Sequence, residues 1–321
     1  MFGIVRTAAR YLPGGLLLLV LLLGGCAAPP QSQHLLKTPP PKLAHPVLLT
    51  DVPFYPQQIH QCGPAALATV LNWSGVALTP EALVPEVYVP ERKGSLQVEL
   101  LAAARRHGRI AYVLRPKLDD VLAEVHAGRP VLVLQNLGLS WYPRWHYAVV
   151  VGYDLQADRL TLRSGDEAMH TETLELFERT WNRGHDWAVV VLRPGQMPVH
   201  AEPLRYLQAV VGFERLGDWR AAEASYRAAL DRWPHDIAAA MGLGNSYYAQ
   251  GQLKKAAEQY RAVVRAHRDY APALNNLAQT LADLGRWEAA EPYARRAAEL
   301  GGPQADTYRQ TLQSIRAHRS Q

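Results

Sequence analysis

Gln57-Gln58-Ile59-His60-Gln61-Cys62-Gly63-Pro64-Ala65-Ala66-Leu67 hands a lone thiol from a loop to the first turn of a helix. Proline suits an early helical position, and Ala65 to Trp73 continues with residues a helix accepts before Gly75 stops it. A cysteine at that point meets the positive end of the helix dipole and unpaired backbone donors, both of which favour thiolate over thiol. Taken alone, it reads equally well as a small buried apolar residue. The chain holds only two cysteines, Cys26 and Cys62, and Cys26 belongs to a different chemistry described below. Cys62 therefore has no obvious disulfide partner.

Downstream, further helices are predicted over Ser95 to His107, with Ser95 as N-cap, and over Leu118 to Ala127. The pattern then changes period. Pro130 to Gln135, His146 to Tyr153, Arg159 to Arg163 and Trp187 to Leu192 read as strands, several of them buried on both faces. Helices first and an antiparallel sheet afterwards make residues 47–194 an α+β domain. His146 opens one of those strands, whose apolar remainder would anchor it, and a histidine beside Cys62 would complete a nucleophilic pair.

Three stretches make the pattern specific: Val52-Pro53-Phe54-Tyr55-Pro56-Gln57, Gln61 to Leu67, and Trp145-His146-Tyr147-Ala148-Val149-Val150-Val151-Gly152-Tyr153. Together they resemble the papain-like cysteine peptidases of the bacteriocin-processing, double-glycine-leader type. The resemblance implies Cys62 as nucleophile, His146 as general base and acid, an aspartate orienting the histidine and an upstream glutamine helping to bind the oxyanion. Gln57 is taken for that glutamine although it stands one residue closer to the cysteine than is usual; Gln58 is its nearest competitor. The aspartate position is the departure. Where the family carries Asp at the end of the next strand, this chain reads Ser164-Gly165-Asp166. Asp166 is assigned the role, with Ser164 as a weaker orienter that would leave a dyad. Asp154, in the preceding hairpin turn, is read as pointing away.

The first 26 residues have the layout of an export signal: Arg6 and Arg10, an apolar run from Leu16 to Leu23, then Leu23-Gly24-Gly25-Cys26. The last four resemble the bacterial lipobox, which implies cleavage before Cys26 and a diacylglycerol on its sulfur. Ala27 after it favours an outer-membrane destination facing the periplasm. Residues 27–46, rich in proline, read as an extended tether that holds the globular part off the lipid.

The C-terminal third repeats. Gly217, Gly251 and Gly285 recur every 34 residues, each followed by Trp219, Leu253 or Trp287, by Ala222, Ala256 or Ala290, and by Tyr226, Tyr260 or Ala294. This period resembles the tetratricopeptide repeat, a pair of antiparallel helices that stacks into a solenoid. Three units span residues 203–302, and Ala305 to Arg319, within the tail 303–321, reads as a capping helix. Such a solenoid presents a concave surface suited to a protein or peptide partner.

The formal net charge of +5 falls to +3 without residues 1–25, and its basic residues are scattered; nucleic acid is not indicated as a partner. His60, His107, His170 and His185 show no metal-ligand spacing, and no phosphate loop or dinucleotide motif is present, so no cofactor is expected. The expectation is an exported, lipid-anchored cysteine peptidase that cleaves a peptide or protein at the cell envelope, its repeats recruiting substrate or partner. Trp141, Tyr142 and Trp145, just before His146, are read as partly packing the loop against the sheet and partly lining a substrate groove, with Trp141 or Tyr142 exposed to substrate. Two alternatives remain: an inactive papain-like binding or scaffold protein, favoured by the poor match at the aspartate, and a transferase that passes the acyl group to an amine or thiol.

Overall fold

A computed structural model describes residues 29–57 and 61–319. The expected signal segment with Cys26, and Gln58 to His60, lie outside the described residues. The chain opens with α1 (Pro30–Lys37), a short 3-10 turn at Pro41–Leu43 and β1 (Val47–Leu48). Then come α2 (Cys62–Trp73), α3 (Pro80–Val87), β2 (Tyr88–Val89), β3 (Gly94–Ser95), α4 (Gln97–Arg106), β4 (Ile110–Val113) and α5 (Leu118–His126). The sheet is completed by β5 (Val131–Asn136), β6 (Trp145–Asp154), β7 (Arg159–Ser164), β8 (Glu167–Glu172) and β9 (Ala188–Leu192), with α6 (Leu174–Asn182) before the last strand.

The strands are antiparallel in the order β4-β9-β5-β6-β7-β8, and β1 adds to the far end of β6. Alternation along them fills both faces. Val131, Val133, Ala148, Val150, Leu160 and Leu162 pack under α5 and α6, while Leu132, Leu134, Tyr147, Val149 and Val151 pack under α2 and α4. A sheet covered on both sides needs apolar residues at consecutive positions, which is why its central strands read as unbroken hydrophobic runs. The α+β architecture expected from the sequence is present. Ser95 does not cap α4, however; it sits in β3, and the helix starts two residues later.

The segment 29–46 is not an extended tether among its described residues. α1 is docked, with Leu35 and Leu43 buried in the core shared with α5 and α6. The Glu178 carboxylate, fully buried on α6, accepts hydrogen bonds from the backbone N–H of Gln31 (3.0 Å) and Ser32 (2.6 Å) at the start of α1. The Gln31 side chain in turn accepts from Leu118 N at 2.7 Å, the first amide of α5. Proline composition misled here because Pro30 occupies the first helical position, where it costs nothing, and the capping carboxylate comes from a residue distant in sequence.

The repeats form three helix pairs: α7 (Pro203–Leu216) with α8 (Trp219–Arg232), α9 (Ile237–Ala249) with α10 (Leu253–Ala266), and α11 (Ala271–Asp283) with α12 (Trp287–Leu300). Gly217, Gly251 and Gly285 turn each pair with φ of 72°, 71° and 73°, a conformation glycine adopts without strain. α13 (Ala305–Arg319) closes the stack by burying Tyr308 against Leu274 and Ala297. The solenoid is fastened to the sheet domain: Tyr206, Val210 and Phe213 of α7 join the core of Ile110 and Tyr112. In the connecting segment, His200 Nδ1 lies 2.7 Å from the buried Asp120 carboxylate and Val199 N donates to Glu124 at 2.6 Å.

Replacing Glu178 with alanine leaves two amides at the start of α1, that of Ser32 buried and that of Gln31 half-buried, without an acceptor, a loss of about 1–3 kcal/mol. Limited trypsin digestion should then cut after Lys37 or Lys42 several-fold faster than in the parent, with the remainder of the chain unaffected.

Candidate active site

α2 begins at Cys62 itself, so the thiol stands at the first position of the helix. Its approach to the sheet depends on Gly63, since a Cβ there would fall 2.3 Å from Ser95 Oγ. β3 thus holds the helix start from one side, and Tyr147 of β6 reaches the same strand by donating its hydroxyl to Ser95 O at 3.2 Å. Backbone groups of Tyr147, Gly63 and Cys62 lie near enough to the Cys62 sulfur to favour its charged form. The amino end of α2 and the residue following His146 therefore meet at one point.

His146 lies opposite Gln135 in the β5–β6 register, and its Nε2 is hydrogen-bonded to Ser164 Oγ at 2.8 Å. Asp166, assigned from sequence as the orienting acid, does not make this contact. Ser164 pairs with Glu167 in the β7–β8 hairpin, so Gly165 and Asp166 form its two-residue turn, Gly165 with φ of 61°, and Asp166 is exposed. The hairpin turns the chain away one residue after the position that reaches the imidazole. Asp154 is at the other end of β6, where it accepts from Gln156 N and Ala157 N and pairs with Arg159.

Gln57 arrives on a segment that the sheet pins down. Leu49 N donates to Val151 O, and Arg163, buried on β7, donates to Thr50 O and Val52 O. Gln57 N then donates to Gly165 O at 2.9 Å, and Gln57 Nε2 to Tyr147 O at 3.2 Å. This places the amide beside the strand residue whose backbone lies near the sulfur, with one Nε2 proton uncommitted. The supporting roles of Arg163 and Ser95 do not follow from the sequence pattern; an arginine closing the apolar alternation Leu160-Thr161-Leu162 is the available signal.

Burial raises the Cys62 thiol above its ordinary value, and the amides of Tyr147, Gly63 and Cys62 oppose that rise without cancelling it. Burial pushes His146 down to about 4, aided by the charges of His170 and Arg144. The helix terminus does favour thiolate, but desolvation outweighs it. Both shifts favour the uncharged forms, thiol and neutral imidazole, over the thiolate expected from the helix start.

The loop before β6 is braced by Asn136 Oδ1, which accepts from Gly138 N and Arg144 N, both at 2.9 Å. Its tip is open: Trp141 is 81% and Tyr142 70% exposed, while Trp145 stacks near His185. Among the described residues no group of three or more His, Cys, Asp or Glu side chains could hold a metal ion.

Residues 49–188 match the model of the Peptidase_C39 like family, and residues 207–271 and 242–305 match that of the tetratricopeptide repeat. The chain carries a C39-like peptidase domain followed by tetratricopeptide repeats. A solved C39-like peptidase from Bacillus anthracis is 20% identical, with a TM-score of 0.39, covering 46% of this chain and 98% of its own. The Yersinia enterocolitica type III secretion chaperone SycD, solved with a peptide of the translocator YopD, is 19% identical over 36% of this chain and 93% of its own, with a TM-score of 0.34. YrrB, a repeat protein with an unusual peptide-binding site, is 23% identical over 37% and 60%, also at 0.34. No curated protein matches the chain.

With His146 uncharged in the fold from about pH 5 upward, alkylation of Cys62 by iodoacetamide should accelerate about tenfold per pH unit from pH 6 to 8, as for an ordinary or raised thiol. A flat rate over that range would contradict the neutral pair. The same shift affects stability: unfolding returns His146 to about 6.5, so between pH 6.5 and 4 the unfolded chain binds more protons. Its contribution is complete above pH 6.5 and lost as the pH falls toward 4, and His146→Gln should flatten that part of a pH–Tm curve.

Proposed function

We propose that the protein is an exported, lipid-anchored cysteine peptidase that cleaves a peptide or protein at the cell envelope, most simply on the periplasmic face of an outer membrane. One observation supports this reading most: α2, which starts at Cys62, packs against β6, whose His146 is hydrogen-bonded to Ser164 at 2.8 Å. Ser164 engages Nε2, so Nδ1 is the nitrogen left to take the thiol proton. Cys62 Sγ then attacks the scissile carbonyl as that proton moves, a concerted step suited to a neutral pair. The backbone N–H of Cys62 and the free Nε2 proton of Gln57 are the donors for the developing oxyanion. The protonated imidazole releases the amine, and water brought in by the same nitrogen hydrolyses the thioester.

The tether reading changes with α1. Pro30 opens a docked helix four residues after Cys26, so a lipid on Cys26 would hold the domain within about 14 Å of its membrane surface. The solenoid, built into the same core, recruits substrate or partner at that surface. Trp141 and Tyr142 flank the site where an extended substrate would lie.

A second reading, an envelope binding or scaffold protein without turnover, is favoured by Ser164 standing where a carboxylate would hold the imidazolium. The two separate as follows. Full chain incubated with envelope extract should generate new peptide termini that neither Cys62→Ala nor His146→Ala generates. Identical termini from parent and Cys62→Ala would sink the peptidase reading. Ser164→Asp should lift the apparent histidine pKa and leave or raise turnover, whereas Ser164→Ala should lower it about tenfold.

A further inference from the structure

A groove of about 330 Å³ runs between α4 of the peptidase domain and α7 of the first repeat, lined by Ala102, Arg105, Gln208, Val211, Arg215 and Leu216. Its polar chemistry is one-sided. Arg106, at its edge, is neutralised by Glu86 at 2.9 Å, but neither Arg105 nor Arg215 has a carboxylate partner among the described residues. The stem of Arg105 lies across Gly212, where a Cβ would come within 2.6 Å of its Cδ, and its Nε is shut off from solvent with no acceptor. The guanidinium is thus held in place by packing, half-buried, next to a second cation that repels it.

A fold gains nothing from such an arrangement by itself. Burying an unpaired charge beside a like charge is unfavourable, and a planar fork that is already positioned is suited to an oxyanion, above all a carboxylate. The remaining wall is apolar, through Ala102, Val211 and Leu216, with Gln208 able to donate to or accept from an amide. The volume exceeds what a bare anion fills. We propose that this groove between the domains binds a carboxylate-bearing residue of a peptide, either its chain terminus or an acidic side chain, with adjoining apolar atoms against Val211 and Leu216. The proposal rests on the reading of this chain as one that handles peptides, but not on turnover. α4 starts two residues after Ser95, which packs on Gly63, and carries Arg105 in its last turn, about 12 Å along the helix from its start at 1.5 Å per residue. A peptide held there is shared between the repeats and the peptidase domain.

The test uses the full chain and isothermal titration with three acetylated hexapeptides, Ala-Ala-Ala-Gly-Gly-Leu as free acid, the same as C-terminal amide, and the amide with glutamate in the last place. At least one carboxylate peptide should bind tenfold or more tighter than the leucine amide, and which one does so distinguishes terminus from side chain. Arg105→Gln combined with Arg215→Gln should remove that preference, and Cys62→Ala should keep it, so that loss of the peptidase reading leaves this result standing. Equal binding of all three peptides, or their displacement by inorganic phosphate at equal concentration, would overturn the proposal. Arg105→Met, which keeps the stem over Gly212, should leave Tm unchanged or raised while weakening carboxylate binding tenfold; a marked fall in Tm would show Arg105 to be structural and also overturn it.

Discussion

The amino end of α2 can reach β6 only because Gly63 presents no side chain to Ser95. With any larger residue the helix would be lifted from β3, and the sulfur would move away from the Tyr147 backbone. The other site groups are organised around that contact. β6 carries His146 on the residue before, Tyr147 O accepts the Gln57 amide, and Tyr147 OH closes back on β3. β7, paired with β6, supplies Ser164 to the imidazole and Arg163 to the segment that leads to Gln57. Two consecutive residues of β6, His146 and Tyr147, thus connect Cys62, Ser164 and Gln57.

The electrostatics follow from the same closeness. Packing the helix terminus against a sheet buried on both faces removes water from thiol and imidazole alike, and desolvation disfavours the charged form of each. Three amides around the sulfur act in the opposite direction and do not win. Ser164, a neutral partner, orients the ring without drawing a positive charge onto it. A carboxylate there would do both. Ser164 therefore favours a neutral Cys62 and His146, where a carboxylate would favour their charged forms.

Much of this was legible in the sequence, for reasons that differ by element. The 34-residue glycine period dictated the helix pairs because each turn needs the same left-handed residue, and the unbroken apolar runs of β5, β6 and β9 announced a sheet covered on both sides. Cys62 at a helix start and His146 at a strand start were readable from local signals. What escaped were contacts between distant residues. The docking of α1 is decided by Glu178, roughly 150 positions away, and proline content alone points to the opposite conformation. The place of Ser164 against Asp166 turns on where a two-residue hairpin bends, a matter of one position. Ser95 was drawn toward a helix cap by its residue type, although β3 and Gly63 claim it.

The charge of His146 decides between a neutral pair and an ion pair at this site. A ring-nitrogen NMR titration of the full chain, labelled at histidine, would follow it directly. The structure calls for an imidazole that stays neutral down to about pH 4, with Nε2 hydrogen-bonded throughout. Protonation of His146 at pH 6.5 or above in the folded chain would contradict it.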